Sequence, residues 1–445
     1  MSKALYWFTD DLRLQDNLAL NSTLYASNSI MFIYVLDEYL FSATNFNHVH
    51  LGDKRFKFIQ QSLVDLSEKI QRLGYELYIF KGHSRAVLNR LITHMGIEVV
   101  GCHLGSGYDE RRTLQHIKSD NDSVRFIHQH NNLMFGPQQL EAKDLTGSFS
   151  KFRKKADKLT VSLPVEDMFS ETLPLPLSVG DALTADDRYK LDNEIHSSAG
   201  QIEGGENVAH KYLEEYFSTQ SASSYKLTRN ALDGKYNSTQ FSPYLSVGNI
   251  SPRQIINRLD MYEQKQGAND STYWIRFELM WRDFFHHKAI QKGSNLFKFA
   301  GERGVRPLTT YYPQRFKRWC NGTTEYPLVN ACMRELNETG FMSNRGRQIV
   351  ASCLVNELQV DWRYGAAYFQ QQLIDYDVAS NWGNWQYIAG VGDDPRGGRH
   401  FNIGKQAQMY DPDGAFQNKW SSDGEQIASD VDMVDWPVMS TKHGH

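Results

Sequence analysis

The sequence predicts two structural classes in one chain: an α/β N-terminal part built on a mostly parallel sheet, and an all-helical C-terminal part. Three observations carry this. Short apolar runs at 4–8, 30–36, 76–80 and 98–102 are separated by stretches long enough for crossover helices, as in a parallel sheet covered on both faces. Between the second and third runs, Phe56, Ile59, Leu63, Leu66, Ile70 and Leu73 recur at alternating three- and four-residue steps, an amphipathic helix stopped by Gly74. Beyond Gly205 the pattern is helical almost to Gln372, punctuated at Asp233-Gly234, Ser242-Pro243, Ser251-Pro252 and Tyr326-Pro327.

The length, 445 residues, fits two or three domains. The expected division is an α/β domain over 1–132, a connector over 133–205, a helical domain over 206–425 and a polar, fraying tail over 426–445. In the connector periodicity fades and Pro164, Pro174 and Pro176 interrupt the chain. No dinucleotide fingerprint follows the strands, because the GSG at 105–107 lacks the third glycine and its spacing.

Composition excludes several classes. With 40% hydrophobic and 22% charged residues the chain reads as globular, and a net charge of −4 rules out a uniformly basic nucleic-acid coat while leaving room for a local basic groove. The apolar run at 30–36 falls far short of the roughly 20 residues that span a bilayer. The N-terminus meets paired acids after five apolar residues, too few for a signal-peptide core, so a cytoplasmic location is expected. Cys102, Cys320, Cys332 and Cys353 show no CxxC spacing and are read as buried free thiols. The histidines show no metal-ligand spacing, so no metal site is expected. Aromatics make up 13% of the chain, and eight of nine tryptophans lie after residue 270, which suits either core packing or stacking on planar rings.

Three groups of residues in the helical part suit a ligand. Glu278, Trp281, Arg282 and Phe285 share one helix face, either wet or facing something polar and planar; an Arg–Glu pair beside a core tryptophan is the plain alternative. Asn344, Arg347 and Gln348 share a second face. In the third, Asp375 and Asp377 precede Asn381, Trp382, Trp385 and Tyr387 across Gly383, a composition poor for filling a helix and good for lining a site. Asp375 is a partner for Arg347. Ser238, Thr239 and Ser242 offer hydroxyls and backbone donors ahead of a helix, suited to phosphate oxygens or to ordinary N-capping. His286 and His287 read as a surface or capping feature, and the basic run 152–158 as a solvated helix face with anion binding as the alternative.

Together the segments YWFTDDLRLQDN, FRKKADK, FSPYLSVGNISPRQ, FELMWRDFF, GFMSNRGRQIVAS, DWRYGAAYF, DYDVASNWGNWQYIAGVGDDPR and FNIGKQAQMYDP resemble the photolyase/cryptochrome family, specifically its DASH cryptochrome branch. The resemblance spans nearly the whole chain. It implies a Rossmann-like α/β antenna domain, a long connector and a helical domain enclosing flavin adenine dinucleotide (FAD). It also implies light-driven repair of cyclobutane pyrimidine dimers, preferentially in single-stranded DNA, by electron transfer from excited reduced FAD.

Residue by residue, the resemblance gives Tyr225, Ser238, Thr239, Phe241 and Ser242 to the diphosphate-binding turn. Arg282, Asn344, Arg347, Asp375, Asp377 and Asn381 match positions around the flavin and its ribityl chain, with Asn381 at the redox-active ring nitrogen. Glu278, Trp281, Asn344, Gln348 and Tyr387 match the substrate pocket, where a flipped dimer stacks on Trp281 and Glu278 hydrogen-bonds it; Glu278 counts with the cofactor residues as well. Trp385 and Trp362 match the flavin-proximal and middle members of a tryptophan chain that photoreduces the flavin. Thr309 stands where the distal tryptophan belongs, and Tyr311, Tyr312 and Trp319 are the substitutes at hand. Glu110 matches a contact to a methenyltetrahydrofolate antenna, with a plain surface carboxylate, another antenna or none as alternatives.

Gln348 and Tyr387 replace the Met and Trp of ordinary dimer photolyases, which carries the single-strand expectation. Met342, Ser343 and Arg345 leave no paired-histidine site of the (6-4) type. A blue-light photoreceptor with little repair is the competing class, and an ordinary flavin oxidoreductase a distant third. With 25 residues after Trp420, the tail is shorter than in signalling cryptochromes and favours the enzyme. A monomer is expected.

Overall fold

The computed structural model describes residues 2–136, 138–140, 147–165, 173–179, 188–192, 202–392 and 397–421. The tail expected at 426–445 lies outside them, as does much of the connector.

The four apolar runs are strands: β1 (Lys3–Phe8), β2 (Ser29–Asp37), β3 (Leu77–Gly82) and β4 (Val99–His103). A fifth, β5 (Arg125–Gln129), completes a parallel sheet in the order β3-β2-β1-β4-β5. Between and after the strands run α1 (Leu18–Tyr25), α2 (Asp53–Arg72), α3 (Ser84–Met95) and α4 (Tyr108–Asp120). Alternation along the strands divides the buried side chains cleanly. Tyr6, Phe8, Phe32 and Ile79 point to one face, where α2 packs Phe58, Leu63 and Leu66 on them. Leu5, Trp7, Ile33 and Phe80 point to the other, against Leu88 and Leu91 of α3 and Leu114 of α4. The predicted α2 ends as read, with Gly74 at φ +84° just past its last turn.

The described part of the connector contains α5 (Phe149–Ala156) and a two-residue strand, β6 (Leu175–Pro176), paired with the start of β2. In α5, Phe149, Phe152 and Ala156 face inward, and the basic run presents Lys154 outward as expected of a solvated face.

The helical part comprises α6 (Glu206–Ser218), α7 (Ser221–Thr228), α8 (Ser242–Ser246), α9 (Pro252–Gln266), α10 (Asp270–Lys292), α11 (Pro313–Asn321), α12 (Pro327–Thr339), α13 (Asn344–Ser352), α14 (Trp362–Gln372), α15 (Val378–Ile388), α16 (Ile403–Tyr410) and α17 (Ala415–Lys419). Helix thus continues past Gln372. The prolines read as punctuation open α8, α9 and α12, and Pro313 opens α11 in the same way, where a missing N–H costs nothing. The stretch after Asp375, read as poor helix material, is the helix α15; Asp377 caps it by accepting from Ala379 N at 3.0 Å. Its polar and aromatic residues are tolerated because α15 packs against α10 and α14 and lines a cavity. Gly383 is what allows the approach to α10, since a Cβ there would lie 2.4 Å from the Phe285 ring.

The first sheet core runs on into α6, α9 and α10 without interruption. A buried polar bolt crosses the same boundary. Arg13 uses all five donors: Nε to Gln15 O, Nη1 to Asn132 Oδ1 and Gly248 O, and Nη2 to Asp16 O and Asn131 O, at 2.8–3.0 Å. Asp16 in turn pairs with Arg253 at 3.0 Å. Among the described residues no helix is long and apolar enough to cross a membrane, and the four cysteines are buried and free.

Candidate functional site

One large cavity, about 600 Å³, opens among α7, α8, α10, α13, α14 and α15, well within the size of a small-molecule site. It collects the residues that the sequence offered. Tyr225, Ser238, Thr239, Phe241, Ser242, Glu278, Trp281, Arg282, Asn344, Arg347, Gln348, Asp375, Asp377, Asn381, Trp385 and Tyr387 all line it.

Helix geometry explains the gathering. α10 presents Glu278, Trp281, Arg282 and Phe285 at i, i+3, i+4 and i+7, and all four reach the cavity. α13 presents Asn344, Arg347 and Gln348 in the same way from its first turns. The turn at 238–242 carries a strained residue, Gln240 at φ +47°, and leads into α8, whose start has no side-chain capping bond. Capping therefore does not account for Ser238, Thr239 and Ser242, and they remain on the cavity wall.

At the inner end, Arg347 Nη2 donates to Asp375 Oδ2 at 2.8 Å, the expected pair. The other carboxylate oxygen, Oδ1, is buried with no partner. A buried acceptor left open on a cavity wall asks for a donor from a ligand. Asn381 is similarly arranged. Its Nδ2 donates to Ala366 O at 3.0 Å, which leaves the carboxamide oxygen as its accepting atom. Asp377 is fully engaged: besides capping α15 it accepts from His286 Nε2 at 2.7 Å and from Ser380 Oγ at 2.5 Å. Burial pushes its carboxyl up, but His286, Arg282 and Ser380 together hold it well below the usual carboxylate range. His286 and His287 are thus buried, not a surface feature: α10 turns them under α15 and the connector, and burial lowers His287 to about 4.

Toward the mouth, Arg229 Nη2 lies 2.9 Å from Glu278 Oε1. The Glu278 side chain is 31% exposed, and burial raises its carboxyl against the opposing pull of Arg229. Trp281 and Tyr387 meet edge to face at 6.0 Å between centroids, and Tyr387 accepts a hydrogen bond from Arg399. Phe149 of α5 stacks flat on Trp281, 3.6 Å between centroids and 10° between planes. Sequence reading missed Arg229, Arg399 and Phe149. The inward spacing of Phe149, Phe152 and Ala156 marks a buried helix face, but nothing local says which ring it covers.

Matches to known proteins agree with this architecture. A family model described as DNA photolyase matches residues 4–171, and one described as the FAD binding domain of DNA photolyase matches residues 274–443. A protein of Idiomarina loihiensis named Cryptochrome DASH is 44% identical over 439 residues, covering 98% of this chain and 96% of its own. The chain belongs to the photolyase/cryptochrome family, in its cryptochrome DASH branch. The crystal structure of a Synechocystis cryptochrome superposes with a TM-score of 0.86 at 35% identity, over 94% of this chain and 88% of that one. An archaeal photolyase from Sulfolobus tokodaii, solved with two FAD molecules, gives a TM-score of 0.74 at 25% identity, over 94% of this chain and 90% of that one.

In this DASH-branch chain the residues present fit FAD. The unpartnered Asp375 oxygen, the uncommitted Asn381 oxygen and the cation of Arg347 sit on one side of the cavity, and the 238–242 turn supplies hydroxyls on another. Trp385 lines the cavity and rests on α14, where Gly365 clears space for it: a Cβ there would fall 2.3 Å from its ring. Trp362 is wholly buried one turn earlier in α14, outside the lining, and donates Nε1 to Phe299 O at 3.0 Å. Glu110 does not line the cavity; it lies on the first turn of α4, folded back against Gly107, and its carboxyl is raised by burial and by the charges of Asp109 and Asp377.

Proposed function

We propose that the protein is a light-driven DNA repair enzyme that reopens cyclobutane pyrimidine dimers, preferring single-stranded DNA. The observation that carries this is the shared cavity: a flavin-fitting end at Asp375, Arg347 and Asn381 is continuous with a polar and aromatic end at Glu278, Trp281, Gln348 and Tyr387. Bound FAD would supply one-electron chemistry driven by light. Arg347, Asp375 and Asn381 hold and orient its ring system, and the turn at 238–242 takes its diphosphate. Glu278 and its partner Arg229 stand where a pyrimidine carbonyl gains charge and would hydrogen-bond it there. Trp281 and Tyr387 give the extruded bases an aromatic wall. Tyr387 carries a hydroxyl already bonded to Arg399, so this wall is less apolar than two indoles and repays less of the cost of extrusion from a duplex. That favours substrates already single-stranded.

Illumination of the FAD-reduced protein with dimer-containing oligothymidylate, free and annealed, tests the reading. Faster reopening in the single strand is expected; no reopening in either, with reduced flavin bound, removes the repair function.

One observation favours a second reading, a blue-light photoreceptor with little repair. Phe149 occupies one face of Trp281 and makes it less available for base stacking. For the antenna, we propose methenyltetrahydrofolate near Glu110, a carboxylate above the sheet ends and available to a pterin amine. The two FAD molecules of the archaeal relative make a second flavin the alternative.

A further inference from the structure

We propose that Tyr311, stacked on Tyr364, is the terminal electron donor through which this protein refills its flavin site from solvent. The inference rests on the flavin reading above. It starts from a gap: the residue at the expected distal position is Thr309, which has no oxidisable ring.

The rings around Trp385 form a continuous relay. Trp319 lies 6.2 Å from Trp385 and Phe316 a further 6.0 Å on, nearly parallel to Trp319 at 18°. Phe316 touches Tyr364 at 5.6 Å and Tyr311 at 6.1 Å. A second line leaves Trp362 through Trp382 at 5.8 Å and Phe46 at 6.4 Å, and it too arrives at Tyr364, 5.0 Å from Phe46. Tyr364 and Tyr311 stack at 4.1 Å and 14°. Tunnelling falls steeply with separation, so ring-to-ring contact defines the favoured route: the line from Trp385 through Trp319 ends on this pair, and the separate line from Trp362 meets it there.

Tyr311 is the more exposed ring of that pair, Tyr364 being half-buried. Tyr311 is 38% exposed, so its phenol proton reaches water, whereas Trp319 is fully buried with Nε1 donated to Val350 O at 2.9 Å. Tyr312 carries the Arg315 guanidinium 4.2 Å from its ring centroid, and a cation there opposes ring oxidation. The stack is also held in register. Thr310 N donates to Gln359 O at 3.1 Å and Asp361 N to Thr310 O at 2.8 Å, tying the loop that carries Tyr311 to the start of α14 that carries Tyr364.

The electron count closes. Trp385 gives one electron to photoexcited oxidised flavin and becomes a cation radical. Trp319 refills Trp385 and is itself refilled from the tyrosine stack across Phe316, a tunnelling bridge that is not oxidised, and Tyr311 finally loses one electron and its hydroxyl proton to water, leaving a neutral phenoxyl. An external thiol returns one electron and one proton to that phenoxyl.

The test is electron paramagnetic resonance on the illuminated, FAD-loaded, oxidised protein without added thiol. Wild type should give a phenoxyl signal. Tyr311→Phe should abolish it and shorten the charge-separated lifetime at least tenfold, and Tyr311→Trp should restore the lifetime with an indole radical in place of the phenoxyl. A phenoxyl of equal yield in Tyr311→Phe, or a wild-type radical confined to tryptophan, overturns the assignment while leaving the flavin reading intact. A wild-type protein that takes up no flavin overturns both.

Discussion

His286 Nε2 lies 2.7 Å from Asp377 Oδ2, so a side chain of α10 is tied to the residue that caps α15, and the two helices that form the wall of the cavity are joined at its edge. The Asp377 carboxyl is depressed below its unfolded value, so its stabilisation is complete above about pH 4 and is lost as pH falls further. Asp377→Asn keeps a capping side chain but loses the charge. It should cost about 2 kcal/mol near neutrality, and the difference from wild type should shrink below about pH 4. Denaturant melts at pH 7, 5 and 3 measure this, and a constant difference across that range contradicts it.

Arg347 and Asp375 form a second pair, in which the Asp375 side chain is only 1% exposed. Arg347→Ala strands a buried carboxylate and should destabilise the protein by roughly 3–5 kcal/mol and empty the flavin site. Arg347→Ala/Asp375→Ala should recover part of the stability but none of the flavin. Urea titrations and the flavin absorbance per chain separate the two effects.

Glu278 and Arg229 are paired at the mouth, away from the Asp375 end. Glu278→Ala should therefore lower dimer reopening on the order of a hundredfold while flavin content stays at the wild-type level. Loss of flavin along with repair would show that Glu278 belongs to the cofactor shell instead.

The Phe149–Trp281 stack is worth about 1 kcal/mol beyond its buried area. If a base and Phe149 compete for Trp281, Phe149→Leu should tighten binding of a dimer-containing single strand by about fivefold. Fluorescence anisotropy reads this directly, and unchanged or weaker binding means that Phe149 supports the wall rather than blocking it.

Gly365 lets the Trp385 ring rest on α14. Gly365→Ala should lower stability by about 1–3 kcal/mol despite its better helix propensity, and should slow flavin photoreduction by displacing Trp385. A more stable variant with unchanged photoreduction would mean that the ring moves aside at no cost.

These residues also show what the sequence discloses. The first four strands were legible because each is an apolar run buried on both faces; β5 was not, because Arg125–Gln129 is an edge strand with no fully buried residue. The Glu278 face was legible because four chemically unlike residues fall at helical spacing. α15 was misread because Asn381 and Asn384, which line the cavity, interrupt the row Ala379, Trp382, Trp385 and Ile388 that packs into the helical core, so its apolar stripe is masked by polar neighbours. His286 looked superficial because a histidine pair on a helix carries no sign of which face is covered. The Phe149–Trp281 contact joins α5 to α10 across more than 130 residues, a separation that periodicity does not bridge.

The Arg13 bolt has an optical consequence. Its five donors are saturated by carbonyls and a carboxamide from both parts of the chain, and Asn132, which it holds by the side chain, also accepts from Arg282 on the cavity wall through its own carbonyl at 2.6 Å. The sheet end and the cavity are thereby tied to one frame. Excitation passed from a dye on the sheet to one in the cavity depends on the angle between their transition dipoles as well as on their separation. Were a dye bound at each place, that angle would be set by a guanidinium.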